Sequence, residues 1–168
     1  MAKSNSFDVT TGVDFNEVQN AVQQAEKELT QRYDFKGLSV SIELNKTDKK
    51  VVLGGPDEYK LKAIWDVLQS KLIKRNVPLR NFHAGKIEPA SGATARQEMA
   101  IQQGLTPEAA REIAKIVKDA GLKKVQAAIQ GDTVRISSPS REDLQSVIGI
   151  LKAKDLGVEL TFENYRSQ

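Results

Sequence analysis

The side chains best suited to bind a charged ligand occupy alternate positions of one predicted strand and of its neighbour. Apolar and polar residues alternate from Lys124 to Gln130, which is typical of a half-buried strand. The residues predicted to be buried are Val125, Ala127 and Ile129. The opposite face carries the candidate ligand-binding residues Lys124, Gln126, Gln130 and, after the tight turn Gly131-Asp132, Arg135.

These residue types match the chemistry of a phosphorylated ligand. Arginine binds a phosphate through two parallel hydrogen bonds, and an amide offers both a donor and an acceptor to the edge of a base. The alternation therefore predicts a binding face for a nucleotide, unless it is only a solvated sheet face. Two further basic clusters lie elsewhere: Arg32 and Lys36 in the segment Arg32 to Gly37, and Lys71, Lys74 and Arg75 at a helix end. At the helix end, a favourable interaction with the helix dipole explains the cations equally well.

Residues for catalysis are scarce. The chain has no cysteine and a single histidine, His83, so thiolate, zinc and Cys–His chemistry lack their usual groups. Gly54-Gly55 ends a strand before a helix, but Pro56-Asp57-Glu58 follows with one amide donor fewer and two carboxylates, which disfavours phosphate binding there. We therefore expect a protein that is not an enzyme, with no cofactor and no metal.

Composition sets broad limits on the class of protein. The 168 residues carry a formal net charge of +3, which permits an anionic partner but is far from the charge density of a protein that coats nucleic acid. The first residues include no apolar segment typical of a signal peptide, and no run is long enough to span a bilayer. We expect a cytoplasmic protein with no membrane contact.

The elements that would position these residues repeat once along the chain. A strand near residues 6–10 precedes a helix that begins after Asp14, with Glu17 completing a capping-box pattern. Strands 38–44 and 50–53, a helix after Pro56-Asp57 and an extended stretch 81–87 follow. The second copy has a strand 97–103, a helix opened by Thr106-Pro107, the hairpin 124–136, a helix after Ser140 and a last strand through Val158 and Phe162.

This order, βαββαβ taken twice, predicts the α+β class: two ferredoxin-like domains, each with an antiparallel sheet that has helices on one face. The segment 88–96 is predicted to be the linker. The same topology occurs in RNA-recognition modules, which stack bases on aromatic residues of the sheet. The corresponding strands, Lys50 to Leu53 and Thr133 to Ile136, contain no aromatic residue, which disfavours that mode of RNA binding.

Several motifs together resemble the bacterial YajQ family of nucleotide-binding proteins. They are Ser6 to Val9, Asp34 to Gly37, Lys71 to Arg75, Lys124 to Arg135 and Asp155 to Arg166. The resemblance implies that the two domains exchange their N-terminal strands. One domain would then comprise residues 11–103, including the exchanged strand 97–103, and the other residues 1–10 with 104–168. By this resemblance Ala128 departs from the family's pattern, in which many members have a second glutamine, and the row of amides is thinner here.

The resemblance also implies a function. Some members are described as receptors for cyclic di-GMP, and others are associated with GTP or tRNA. We expect a regulatory, non-enzymatic nucleotide-binding protein, with GTP or a cyclic dinucleotide as ligand, bound either on the open face of the sheet or in a groove between the two domains. The alternative is a module that binds RNA such as tRNA, or docks onto a regulatory protein, without a small ligand. Strand exchange within one chain is compatible with a monomer, which we expect here.

Overall fold

A computed structural model describes residues 4–167 of the chain. The helices are α1 Phe15–Gln31, α2 Glu58–Lys74, α3 Pro107–Asp119 and α4 Arg141–Lys152. The strands are β1 Asn5–Thr10, β2 Ser41–Asn45, β3 Lys50–Gly55, β4 Phe82–Ala90, β5 Thr94–Ile101, β6 Gln126–Gln130, β7 Thr133–Ser138 and β8 Thr161–Arg166. Short 3-10 turns span Tyr33–Phe35 and Leu79–Asn81.

The predicted α+β fold with exchanged strands is confirmed by the order of the strands. One antiparallel sheet has the order β2-β3-β5-β4 and the other the order β6-β7-β1-β8. The first strand of the chain thus lies between β7 and β8, 123 or more residues later in sequence. Each sheet carries two helices. The sheet β2-β3-β5-β4 is called the N-terminal sheet, and the sheet β6-β7-β1-β8 is called the C-terminal sheet.

The contacts of the chain divide it into two compact units. One comprises residues 13–102, and the other comprises residues 4–12 with 103–167. In the first unit, α1 and α2 cover Val51, Leu53 and Met99 of the sheet. In the second, α3 and α4 cover Phe7 and Val9 of β1 together with Val134 and Ile136 of β7.

Helix starts follow the predicted signals. Asp14 caps α1 by accepting a hydrogen bond from the amide of Asn16, and Thr106 caps α3 in the same manner with Ala109. The capping box predicted from Asp14 and Glu17 does not form, because the Glu17 carboxylate accepts hydrogen bonds from Asn20 at 3.3 Å and Arg75 at 3.2 Å instead of from the amide of Asp14. Among residues 4–167, no helix combines the length and the apolar character needed to cross a membrane.

The predicted linker 88–96 is wrong. These residues belong to the β4–β5 hairpin of the N-terminal sheet, in which Ala90 is paired with Thr94. The turn-forming residues that suggested a linker make a tight turn, with Gly92 and Ala93 at φ 71° and 60°. The chain passes between its two units near residues 12–13 and 102–103 instead.

Strand β6 also differs from its prediction. It begins at Gln126 rather than Lys124, and Ile129 is 47% exposed although the alternation predicted that it is buried. The strand lies at the edge of its sheet and has a neighbouring strand on one side only, so its side chains are covered less than those of the central strands. Similarly, β2 begins at Ser41, so the predicted strand residue Leu38 precedes it and is exposed.

The exchanged strand should be essential for the C-terminal core. Phe7 is fully buried, so Phe7→Ala is expected to lower the free energy of unfolding by about 3–5 kcal/mol because it leaves a cavity under α4. Urea unfolding followed by circular dichroism measures this loss. Tyr33→Ala, at a side chain that is 91% exposed, is the control and should change stability by less than about 0.5 kcal/mol. Equal effects of the two substitutions would contradict the placement of β1 in the core.

Candidate ligand-binding face of the C-terminal sheet

The face of the C-terminal sheet that is turned away from α3 and α4 is here called the open face. Because Phe7, Val134 and Ile136 are buried against the helices, strand alternation places their neighbours Asp8 and Arg135 on the open face. The strand pairing sets them side by side, since Arg135 is opposite Asp8 on one side and opposite Ala128 on the other.

Asp8 and Arg135 form an ion pair at the middle of this face. Nε of Arg135 donates to Oδ1 of Asp8 at 2.9 Å, and Nη2 donates to Oδ2 at 3.4 Å. The Asp8 side chain is 13% exposed and that of Arg135 is 29% exposed. Because water has little access to the carboxylate, the pair is stronger here than at an open surface.

Asn164 provides the third contact to this carboxylate. Its Nδ2 donates to Oδ2 of Asp8 at 2.7 Å. The pairing of β1 with β8 shifts register between Ser6 and Asp8, and Asn164 adopts a φ of 59° at this bulge. Asparagine tolerates that left-handed conformation better than most residues do. The bulge therefore brings an amide onto the open face beside the ion pair.

The charge state of the pair follows from these contacts. The hydrogen bond from Arg135 is the main cause that lowers the pKa of Asp8, with a smaller lowering effect of Asn164, while burial acts in the opposite direction. The same hydrogen bond raises the pKa of Arg135. Asp8 is thus anionic and Arg135 cationic at neutral pH.

Arg135 still has donors to offer. A guanidinium carries five N–H groups, and Asp8 accepts from the edge formed by Nε and Nη2. The end formed by Nη1 and Nη2 retains N–H groups with the planar spacing that suits two oxygens of a phosphate. Ala128, opposite Arg135 on β6, is too short to cover the guanidinium from that side. The ion pair thus orients the arginine and leaves it able to bind an anion.

The other three predicted residues of this unit lie in β6 or just before it. Gln126 and Gln130 lie at the two ends of β6, paired with Ser137 and Thr133, and both are exposed. By strand alternation they share the open face with Arg135. Lys124 is exposed in the turn that precedes β6, so strand alternation does not fix the direction of its side chain as predicted.

The remaining two candidates, Arg32 and Lys36, belong to the unit of residues 13–102. Arg32 donates to both carboxylate oxygens of Asp34, at 2.9 and 2.7 Å, and its guanidinium lies 5.2 Å from the centre of the Phe35 ring. The hydrogen bond to Asp34 raises the pKa of Arg32. Lys36 is exposed immediately after this 3-10 turn.

The basic helix end is also largely ion-paired. Lys71 donates to Glu28 at 2.9 Å, and this contact lowers the pKa of Glu28. Arg75 lies 3.2 Å from Glu17. Ion pairs with α1 therefore explain the presence of Lys71 and Arg75 without a ligand.

Within residues 4–167, no three histidine, aspartate or glutamate side chains are grouped so that they could hold a metal ion.

Sequence reasoning missed Asp8 and Asn164 because both come from outside the hairpin that contains Arg135. Asp8 is 127 residues from Arg135 along the chain, and only the strand exchange brings the two together. One available signal was the alternation of Ser6 to Thr10, in which Asp8 lies between the apolar Phe7 and Val9. Opposite charges on neighbouring strands stabilise a sheet, so this carboxylate was a candidate for pairing with a cation on the strand next to it.

The fold defines the general class: paired ferredoxin-like units that exchange a strand. The chain belongs to the family described as nucleotide-binding protein YajQ-like, whose family model matches residues 5–166. It is 51% identical to a nucleotide-binding protein of Koribacter versatilis over 163 residues, which cover 97% of this chain and 98% of that protein. It is 50% identical to a nucleotide-binding protein of Solibacter usitatus over 163 residues, with the same coverage. A nucleotide-binding protein of Desulfitobacterium hafniense is 46% identical over 166 residues, 99% of this chain and 100% of that protein.

The ion pair should make stability depend on pH. Because folding lowers the pKa of Asp8, the pair stabilises the fold above the ordinary carboxyl value of about 3.9 and loses this effect as pH falls through the lowered pKa. At pH 7, Asp8→Asn is expected to lower the free energy of unfolding by about 1–3 kcal/mol. This difference from the parent protein should shrink on acidification to about pH 3.

Urea unfolding at several pH values measures the effect. Asp66→Asn, at an exposed position of α2, is the matched control and should change stability by less than about 0.5 kcal/mol. A cost of Asp8→Asn that is the same at pH 7 and at low pH would contradict the ionic origin of the contact.

Proposed function

We propose that this chain is a non-enzymatic, regulatory nucleotide-binding protein and that its ligand lies on the open face of the C-terminal sheet. The observation that carries the proposal is the orientation of Arg135. Asp8 holds one edge of its guanidinium at 2.9 Å, and the other end retains the donors that bind phosphate oxygens. An arginine fixed in this way loses less side-chain entropy on binding than a free surface arginine does.

Amide groups supply the base-recognising part of the proposed site. Gln126 and Gln130 lie on the open face on either side of Ala128, and their side chains form no hydrogen bond within residues 4–167. An amide can accept from the N–H groups of a guanine and donate to its O6, so these two side chains suit the edge of a guanine base. We therefore propose GTP or cyclic di-GMP as the ligand, with Lys124 as an additional partner of the phosphates.

The names of the relatives support the same class of ligand, since each of the three described above is called a nucleotide-binding protein. None of these names denotes an enzyme, which supports a binding role. The site chemistry agrees with this role: Asp8 accepts hydrogen bonds from Arg135 and Asn164, so its carboxylate is not poised as a general base for a bound substrate. Arg32 and Lys36 are proposed as a secondary basic contact in the other unit.

Calorimetric titration with GTP and with cyclic di-GMP tests this function. At least one nucleotide should bind the purified protein, and Arg135→Ala should weaken the affinity about tenfold or more because a charge-assisted hydrogen bond to phosphate is lost. Arg111→Ala is the matched control: it removes the same charge at an exposed position of α3 and should leave the affinity unchanged. Circular dichroism must show that both variants are folded.

The outcomes separate the function from the site. No heat with any nucleotide at millimolar concentration would overturn the nucleotide function, whereas binding that survives Arg135→Ala would overturn only the site. A complex with tRNA that weakens steeply with salt, in the absence of nucleotide binding, would instead support the RNA-binding alternative.

A further inference from the structure

Strand β6 is an unusually unprotected sheet edge. The two sheets end in four edge strands, β2, β4, β6 and β8. Exposed edges present unpaired N–H and C=O groups, and proteins usually protect them with charges, prolines or bulges. Strand β6, with the sequence Gln-Ala-Ala-Ile-Gln, has none of these features.

The other three edges all carry such protection. Strand β2 contains Glu43. Strand β4 contains Lys86, Glu88 and Pro89, and its pairing with β5 shifts register between Ala84 and Ile87. Strand β8 contains charged residues and the bulge at Asn164. The contrast singles out β6 as the edge that is open to a further strand.

The hairpin geometry shows which main-chain groups of β6 face outward. The two-residue turn begins with Gly131 at φ 63°, so Gln130 and Thr133 close the hairpin as a hydrogen-bonded pair. Hydrogen-bonded and non-hydrogen-bonded pairs then alternate along the ladder. The N–H and C=O groups of Ala127 and Ile129 therefore point away from β7, toward the outer edge. Within residues 4–167 no strand is paired there.

We propose that this edge binds a second copy of the chain, with the two β6 strands antiparallel and a two-fold axis at Ala128, so that the protein is a reversible dimer rather than the monomer expected from the sequence. In this register Ala127 of each copy pairs with Ile129 of the other, so all the outward-facing groups just named find partners. The two Ala128 residues face each other as a non-hydrogen-bonded pair at the axis.

The side chains of β6 are complementary to themselves in that register. Gln126 of each copy comes opposite Gln130 of the other on the open face, so no charges oppose each other there and the amides retain hydrogen-bonding groups for a ligand. The exposed Ile129 comes opposite the small Ala127, which covers part of an apolar side chain now 47% exposed. Beyond the strand, Lys124 comes opposite the oppositely charged Asp132, and both are exposed. No like charges oppose each other.

The size of the contact predicts a weak dimer. Five residues on each side form about four main-chain hydrogen bonds, which is well below the contact of a permanent dimer. Dissociation constants of about 1 µM to 1 mM are typical of such contacts. The dimer would join the two C-terminal sheets into one continuous sheet, with Gln126 and Gln130 of both copies along the join.

Cross-linking through an introduced cysteine tests the dimer and its register. The chain has no cysteine, so Ala128→Cys gives a single thiol at the proposed axis. A non-hydrogen-bonded pair brings two Cα atoms to about 4.5 Å, within the range of a disulfide. Under mild oxidation of the full chain, Ala128→Cys should form a disulfide-linked dimer about tenfold faster than Ala127→Cys, whose thiols would be too far apart. Equal rates, or faster reaction of Ala127→Cys, would overturn the register.

Sedimentation equilibrium of the unmodified chain provides the second test. We expect reversible dimerisation that Ile129→Lys abolishes, because the new charge lies on the shared edge. Ile73→Lys, at a 58% exposed position of α2, is the matched control and should dimerise like the parent chain. A protein that stays monomeric at millimolar concentration, or a dimer that persists in Ile129→Lys, would overturn the proposal.

Discussion

The contact between Asp8 and Arg135 joins the first strand of the chain to a hairpin 127 residues later. It is the polar counterpart of the apolar contacts on the other side of the same strands. The side chains of Phe7 and Val9 on one face of β1 pack in the core, and Asp8 between them lies on the opposite face. One short strand thereby completes the hydrophobic core and fixes the charge pattern of the open face. The orientation of Arg135, on which the proposed site depends, follows from this single strand.

The energetic balance at Asp8 explains why two side chains donate hydrogen bonds to it. A carboxylate that is largely removed from water is costly unless hydrogen bonds compensate for the lost hydration. Arg135 provides the charge, and the bulge at Asn164 provides a further donor at 2.7 Å. Because these partners satisfy the carboxylate, the remaining donors of Arg135 are available to an external anion. The geometry thus combines a stabilising contact with the donors that the proposed phosphate site requires.

Much of the fold could be predicted from local signals. Caps such as Asp14 and Thr106, and the apolar spacing of the helices, identify helix starts because they depend only on neighbouring residues. The strand exchange followed from family resemblance rather than from periodicity, because a strand pattern does not specify its partner. The prediction of a linker was wrong for a related reason. Gly92 and Ala93 form the turn of a hairpin, and the residue types that favour such a turn also occur in linkers between domains.

The candidate site could be predicted only in part. Arg135, Gln126 and Gln130 share a face because alternation along paired strands is a local property. Asp8 and Asn164 required the tertiary pairing, and the exposure of Ile129 required knowledge that β6 is an edge. Residues supplied by a distant strand remain invisible to local patterns.

The most direct measurement is an NMR titration of the ¹⁵N-labelled chain with GTP and with cyclic di-GMP, following both the main-chain amides and the Nε–H signals of arginine. We predict that the largest changes occur at the side chain of Arg135 and at the amides of β6, β7 and Asp8. Changes confined to residues 13–102, or no change at millimolar nucleotide, would contradict the proposed role of the open face.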